Sequence, residues 1–403
     1  MCDMKHVLLQ INVDATNGSN GGVAFGINDI AVQHGWDSYI AYGRRAIDRK
    51  DTKIIRIGSK LNNVWHGIES RLFDNHGLSS RRATKKLIKQ IDDLHPDLIH
   101  LHNIHGYFLN YRILFNYLSK YNIPIIWTLH DCWSITGHCA HFVSVNCEKW
   151  QTQCEHCPLK ASYPRSFLID NSRHNFLLKK KCFTSIKKMI VVGVSSWIAD
   201  YVKQSYLSKY PIKVIHNGID LDIFKPTQSS FRNDLKIGNR KMILGVSSTW
   251  TESKGLNEFI QLSKNPSYCV VLVGVNNEVK KNLPSEIVAI DRTENVQKLV
   301  EIYSSADVFV NPTYADTFPT VNLEALACGT PVITYRTGGS PESIDESCGK
   351  VVECGDFEGL VEAIDEITSS SFDYATNCRQ RAVSNFDMKK NYNKYFSLYN
   401  ELI

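Results

Sequence analysis

Asp316 and Glu324 lie eight positions apart in the stretch PTYADTFPTVNLEALACGTPVIT, residues 312–334. The apolar run before them reads as a strand and the run around Glu324 as a helix. This places Asp316 in the intervening loop and Glu324 one to two turns into the helix. The amides that open such a helix, at Thr320 and Val321, can bind an anion. A carboxylate beside them can accept hydrogen bonds from the vicinal hydroxyls of a sugar or ribose. Taken alone, the pair reads more readily as a helix cap and a solvated helix residue. A second cluster is HDCWSITGHC, residues 130–139, with two His, one Asp and two Cys in ten positions. Its cysteines continue as Cys139, Cys147, Cys154 and Cys157, ending in CEHCP. Four thiolates at this spacing fit a structural Zn²⁺. They fit equally a reduced, Cys-rich insertion packed by Trp133 and Trp150. A third feature is the turn NGSNGG, residues 17–22, where Gly21 and Gly22 let the backbone approach a phosphate before a helix begins.

These residues need a scaffold, and the chain supplies one of alternating strands and helices. Apolar runs at 6–13, 37–43, 97–103, 124–131, 189–195 and 212–220 read as strands, with helical patterns between several of them. Pro96 and Pro124 mark the stops before two of the strands. Ser195 and Ser196 are candidate helix caps. After the Pro- and Ser-containing FKPTQSS the pattern restarts, with strands at 241–248, 268–274, 307–312 and 331–335. Alternation of this kind predicts parallel sheets covered on both faces. The expected layout is a Rossmann-like domain over 1–211, with a Cys-rich insertion at about 132–160. A second Rossmann-like domain over 212–385 follows, then a terminal helix over 386–403 that can pack back on the first domain. Two such domains facing across a cleft would serve two substrates, because open α/β sheets bind ligands at the carboxyl ends of their strands.

Composition is that of a globular protein, 43% hydrophobic and 22% charged in 403 residues, a length suited to two domains. No apolar run reaches a membrane span, and the apolar start is too short for a signal-peptide core, so a cytoplasmic location with reduced thiols is expected. Residues 1–200 carry 25 Lys and Arg against 16 Asp and Glu, whereas residues 201–403 carry 21 against 25. The excess gathers at Arg44-Arg45, Arg81-Arg82, Lys85-Lys86 and Lys179-Lys180-Lys181. These read either as solvated helix faces or as a surface that meets something anionic, such as a membrane or a lipid-linked phosphate. Nucleic acid is disfavoured, because aromatic residues do not interleave with the basic ones.

The motifs together resemble the retaining nucleotide-sugar glycosyltransferases of family 4, which have the GT-B fold. The resemblance spans nearly the whole chain. It includes NGGVAFG, WTLHD at 127–131, HNGID at 216–220, SKGLNEF at 253–259 and TGGSPE at 337–342, besides the acidic pair. It is closest to the branch that assembles bacterial O-antigen, capsule and exopolysaccharide. The resemblance implies that Glu324 holds the donor's ribose, Asp316 faces the transferred sugar and Lys254 neutralises the diphosphate. Thr320 and Val321 would lie at the donor, Gly338 and Gly339 would shape the loop beside the sugar, and Gly21 and Gly22 would meet phosphate or acceptor. His130 would sit over the reacting centre. Related members carry similar cysteines. The chain departs from the family at three points: Asp316 is a short acid, Pro319 stands where Gly is common, and no Arg precedes Lys254. Arg336 is a candidate for the missing charge.

The implied reaction is front-face transfer from a UDP- or GDP-sugar to a growing, lipid-linked surface polysaccharide at the cytoplasmic face of the inner membrane. Lys254 and helix amides would stabilise the leaving diphosphate, so no catalytic metal is expected. Three alternatives remain at this level: a nicotinamide-dependent oxidoreductase, a non-catalytic GT-B assembly partner and a GT-B sugar-nucleotide epimerase. The first lacks both G-x-G-x-x-G and an acid ending the second strand.

Overall fold

The computed structural model describes residues 5–16, 19–47, 49–293 and 295–403. The chain divides into two compact units, one formed by residues 1–216 with 392–403 and the other by residues 217–391.

The first unit is built on β1 (Val7–Asn12), β2 (Asp37–Tyr42), β3 (Lys53–Arg56), β4 (Leu98–Leu101), β5 (Ile125–Leu129), β6 (Met189–Gly193) and β7 (Ile212–Val214). Their order is β3-β2-β1-β4-β5-β6-β7, and every neighbour pair is parallel. The central strands β4, β5 and β6 are buried at every position, as expected where helices cover both faces. Strand order reverses between β1 and β4, so the carboxyl ends of those two strands flank a crevice where such sheets bind ligands. Helix Ser196–Lys203 is capped by Ser195, whose hydroxyl accepts the Ile198 N–H at 3.3 Å.

The second unit is built on β8 (Lys241–Val246), β9 (Tyr268–Val273), β10 (Val288–Ile290), β11 (Val308–Asn311), β12 (Val332–Tyr335) and β13 (Gly349–Val352). The order β10-β9-β8-β11-β12-β13 is again parallel throughout, with the reversal between β8 and β11. Ile243, Leu272, Val310 and Ile333 lie in its core with Phe259, Leu360 and Ile364 from the covering helices.

Two boundaries differ from the sequence expectation. β7 pairs with β6 through Val191 and Ile212, so the first unit runs to 216, not 211. The terminal helix, Met388–Leu402, is divided, with its residues from Tyr392 onward belonging to the first unit. There the Tyr399 hydroxyl meets His100 Nδ1 at 2.7 Å, and Tyr395 meets Thr128 at 3.1 Å. The basic run at 179–181 is not wholly a solvated face. Lys179 is buried, and its ammonium donates to the carbonyls of Trp133 (2.8 Å) and Thr136 (3.1 Å) and lies 3.6 Å from the centre of the Trp133 ring. Burial pushes its pKa down to about 7.

Candidate active site

In the second unit the two loops that follow the reversal strands carry the predicted donor residues. Lys254 follows β8, at the end of a 3₁₀ turn Glu252–Lys254, and Asp316 follows β11. The Tyr314 N–H donates to the Ser253 carbonyl at 2.9 Å, which ties the loops together. Gly255 has φ +76°, and a side chain there would run into Pro312 at 2.3 Å, so the close approach that presents Lys254 requires glycine. Lys254 Nζ then reaches Asp316 Oδ2 at 2.9 Å and Thr313 Oγ1 at 3.3 Å. The cation assigned to phosphate and the acid assigned to sugar are thus paired with each other.

Helix Thr320–Ala327 begins directly after Pro319, which supplies no side-chain cap, so Thr320 and Val321 form its first turn. The helix is fixed to β11 through Asn322, which accepts from Asn311 (2.8 Å) and donates to Ser343 (2.9 Å). Glu324 sits on the second turn and accepts from the Tyr303 hydroxyl at 2.9 Å. Its surroundings desolvate it and raise its pKa to about 7, with the Tyr303 bond opposing the shift. Gly338, at φ +54°, lies so close to the Asp316 carbonyl that a Cβ would fall 1.6 Å from it. Gly339 follows at the start of the 3₁₀ turn Ser340–Ser343. Beside these residues the hydroxyls of Thr317 and Ser340 are buried with no partner among the described residues, polar atoms that a bound hydroxylated ligand could satisfy. Arg336 does not join Lys254: its guanidinium pairs with Glu353 at 2.5 Å on an exposed surface.

In the first unit His130 follows β5 directly and is buried. A chain of hydrogen bonds sets its tautomer. The Gln10 side-chain NH₂ donates to the Ala24 carbonyl at 3.0 Å, which leaves Gln10 Oε1 to accept from His102 Nε2–H at 3.0 Å. His102 is neutral, because burial holds its pKa well below the usual value. Its bare Nδ1 therefore accepts from His130 Nε2–H at 3.3 Å. His130 is left with a lone pair on Nδ1, which is buried and has no partner among the described residues. Burial lowers its pKa to about 4 against the opposing charge of Asp131. Such an imidazole accepts hydrogen bonds well and retains a proton poorly. Asp131 is committed elsewhere, since its carboxylate binds His105 Nε2 at 2.8 Å and the Trp133 N–H at 2.9 Å. Burial would raise its pKa, but His105 and these bonds hold it at about 2.

Gly21 and Gly22 do not form a turn ahead of a helix. They lie within helix Ser19–Gln33, close to its start after β1. Asn17 and Gly18 of the same motif fall outside the described residues.

Cys139, Cys147, Cys154 and Cys157 all line one cavity of about 20 Å³, together with His138. Cys139 and Cys157 share a hydrogen bond that lowers the pKa of Cys157 and raises that of Cys139. Burial takes Cys154 up to about 11. His138 Nδ1 binds Asp74 at 2.6 Å, and its Nε2 is buried with no partner among the described residues. A bare imidazole nitrogen with a carboxylate behind it, among soft thiols, is a donor set that suits zinc. As the side chains stand, however, no three His, Cys, Asp or Glu residues among those described converge on one ion position.

Sequence reasoning missed Gln10, His102, Tyr303 and Lys179. His102 was legible in part: His100 and His102 alternate at the carboxyl end of an apolar strand, where a buried polar face is unusual. Tyr303 carried no local signal, since its role depends on a helix packing beside Glu324.

Comparison with known proteins agrees with this geometry. The family model described as "Glycosyltransferase Family 4" matches residues 31–223, and that described as "Glycosyl transferases group 1" matches residues 227–384. The chain is 24% identical over 378 residues to WcaC of Escherichia coli K12, named as a colanic acid biosynthesis glycosyl transferase, covering 86% of this chain and 87% of that one. It is 26% identical over 203 residues to the capsular polysaccharide biosynthesis glycosyltransferase CapM of Staphylococcus aureus, 46% of this chain and 53% of that one. Its fold is that of sucrose-phosphate synthase from Thermosynechococcus elongatus (TM-score 0.75, 18% identity, 99% of each chain). It is also that of HepE from Anabaena, solved in complex with UDP (TM-score 0.69, 16% identity, 99% of this chain and 100% of that one). The chain belongs to the family 4 glycosyltransferases of the GT-B fold, and is a hexosyltransferase-type enzyme.

Proposed function

We propose that this enzyme moves a sugar, with retention of anomeric configuration, from a UDP- or GDP-sugar to a lipid-linked oligosaccharide in the assembly of a bacterial surface polysaccharide such as O-antigen. The observation that carries the donor assignment is the pairing of Lys254 with Asp316, each following one of the two strands that flank the reversal. Support for the pathway comes from the names of WcaC and CapM, and support for a nucleotide donor from HepE's complex with UDP.

In this reading Glu324 accepts the ribose hydroxyls, and Asp316 accepts from the transferred sugar. Lys254 and the amides of Thr320 and Val321 carry the diphosphate, with no catalytic metal. The bond from the anomeric carbon to the β-phosphate oxygen breaks, and a bond from that carbon to the acceptor oxygen forms on the same face. The acceptor's proton passes to the departing phosphate oxygen. His130, with Nδ1 bare and a pKa near 4, accepts a hydrogen bond from a sugar hydroxyl and does not serve as the base. Calorimetry with a panel of UDP- and GDP-sugars tests the donor assignment. One member is expected to bind at micromolar to millimolar Kd, and binding should be lost in Glu324→Ala. Failure of every nucleotide sugar to bind folded protein would remove the assignment. Product analysis by NMR tests retention.

We also propose that Cys139, Cys147, Cys154 and Cys157 hold one structural zinc ion, which would draw the thiols inward from where they stand. Four protein ligands leave no open position, so the ion would brace the loop after His130 and not act on substrate. The support is the shared cavity, which His138 also lines. About one Zn²⁺ per chain is expected in protein purified without a His-tag. Chelation should lower the Tm of the first unit and spare nucleotide-sugar binding, and Cys132→Ala should keep the metal. A zinc content near zero, with unchanged Tm in strong chelator, would leave a reduced cysteine cluster.

A further inference from the structure

Helix Lys60–Phe73 is inside-out. It buries His66, Gly67 and Ser70 and turns Leu61, Val64, Trp65 and Ile68 to solvent, exposed by 73, 58, 66 and 39%. The spacing i, i+3, i+4, i+7 puts all four on one stripe, the pattern that normally faces a core. The polar side is committed inward by specific bonds. His66 Nδ1 meets the Ser80 hydroxyl at 2.7 Å and its Nε2 accepts the Gly77 N–H at 3.1 Å, so the helix cannot roll to hide the stripe without breaking them. A second exposed apolar segment is tied to the last turn of this helix. The Phe167 N–H donates to the Arg71 carbonyl at 2.7 Å, and Phe167 and Leu168 are exposed by 56 and 68%.

Cations border this surface. Arg81, Arg82, Lys85 and Arg112 line one open groove with Trp65. Helix Arg81–Leu94 has no acid in its first turn and exposes its early cations. We infer that this face docks on an anionic lipid bilayer, with the helix Lys60–Phe73 lying in the interface plane. Leu61, Val64, Trp65 and Ile68 enter the headgroup boundary, and the neighbouring Arg and Lys side chains meet lipid phosphates. A basic rim beside an apolar stripe containing tryptophan is the composition of an interfacial helix. A second copy of this chain would bring the same cations against each other, which disfavours a symmetric dimer here. The inference deepens the proposal of a lipid-linked acceptor, but its test does not depend on transfer.

The test is co-sedimentation of the full chain with vesicles of phosphatidylethanolamine and phosphatidylglycerol, and with phosphatidylcholine vesicles, at low and high salt. Binding to the anionic vesicles is expected to exceed binding to phosphatidylcholine at least tenfold and to weaken as salt rises. The triple variant Leu61→Ser/Val64→Ser/Trp65→Ser should lose at least tenfold in vesicle partition. The triple variant Arg81→Glu/Arg82→Glu/Lys85→Glu should bind no better than wild type does to phosphatidylcholine. Both sets are surface residues, so Tm and nucleotide-sugar affinity should be unchanged. Absence of nucleotide-sugar binding in the wild type would indict the donor proposal and leave this one standing. No sedimentation of wild type with anionic vesicles, or unaltered partition of the apolar triple variant, overturns the inference. Self-association that the serine substitutions abolish, without vesicle binding, would instead make this face an interface between copies.

Discussion

Glu324→Gln should sharply lower transfer and at the same time make the protein more stable at pH 8. The carboxylate is the better acceptor for two hydroxyls, and an amide can accept at only one atom. Loss of a charge-assisted hydrogen bond costs about 1.5–3 kcal/mol, and misplacing the donor adds more, so kcat/KM should fall by roughly 10²-fold or beyond. Stability should move the other way. Surrounding atoms raise the folded-state pKa of Glu324 to about 7, above the ordinary 4.5. The folded chain therefore holds a proton that the unfolded chain has released between those values. Stability from this group is greatest below pH 4.5 and declines as pH rises, until the group is ionised in both states above about 7. The amide of the Glu324→Gln variant has no such dependence. Its advantage should grow from pH 4.5 to 7 and level off, at on the order of 1–3 kcal/mol, or several degrees in Tm. The same shift gives wild-type kcat/KM an acid limb near pH 7, because only the ionised form accepts both hydroxyls. Tyr303→Phe removes the bond that opposes the shift and should move that limb upward. Thermal melts and pH–rate profiles of the three proteins are the measurements. A Glu324→Gln protein with normal turnover, or one destabilised at pH 8, would show that the residue is a structural carboxylate and not a donor ligand.

The parts of this site that were legible in the sequence are those set by local chain geometry. A strand, a loop and a helix in succession place Asp316, Glu324, Thr320 and Val321 wherever the rest of the chain goes, and the observed elements put them there. Apolar runs likewise identify β1, β2, β4, β5, β6, β7, β8, β9, β11 and β12. The short edge strands β3, β10 and β13 carry only three or four residues each and give no periodic signal of their own. Relations across the fold were not legible. The spacing of Lys254 and Asp316 says nothing of their ion pair, which rests on the approach of Gly255 to Pro312. The lock on His130 joins β1 to the ends of β4 and β5, three segments separated by up to 120 positions. Lys179 misled because a run of lysines on a helix looks solvated, and only the packing of Trp133 decides that one of the three is enclosed. Helix Lys60–Phe73 was illegible for the opposite reason: its apolar stripe is real but faces water, and the pattern alone cannot say which side is the core.

Lys254→Ala should lower kcat by about 10²–10³-fold, the size of effect seen when one group that stabilises a developing anion is removed. Its effect on Tm should be close to zero. The pair with Asp316 is partly exposed, with the side chains 34% and 26% accessible, and such pairs contribute about 0–1 kcal/mol to stability. Lys254→Arg keeps the charge and should retain more activity than the alanine variant, though its planar group fits a site shaped for an ammonium less well. Asp316 supplies the sharper test. In the free enzyme its carboxylate holds Lys254 at 2.9 Å, so a nucleoside diphosphate must compete for the cation. Asp316→Asn removes that competition. Affinity for UDP or GDP without a sugar should rise severalfold, while transfer from the full donor falls because the sugar loses its charged acceptor. In the double variant Asp316→Asn/Lys254→Ala the gain in diphosphate affinity should vanish, which makes the two effects non-additive. Calorimetry with the diphosphate, paired with single-turnover transfer assays, separates the two roles. If Asp316→Asn weakens diphosphate binding, or the two substitutions act additively on it, Lys254 is not the phosphate's cation and its contact with Asp316 is only a surface ion pair.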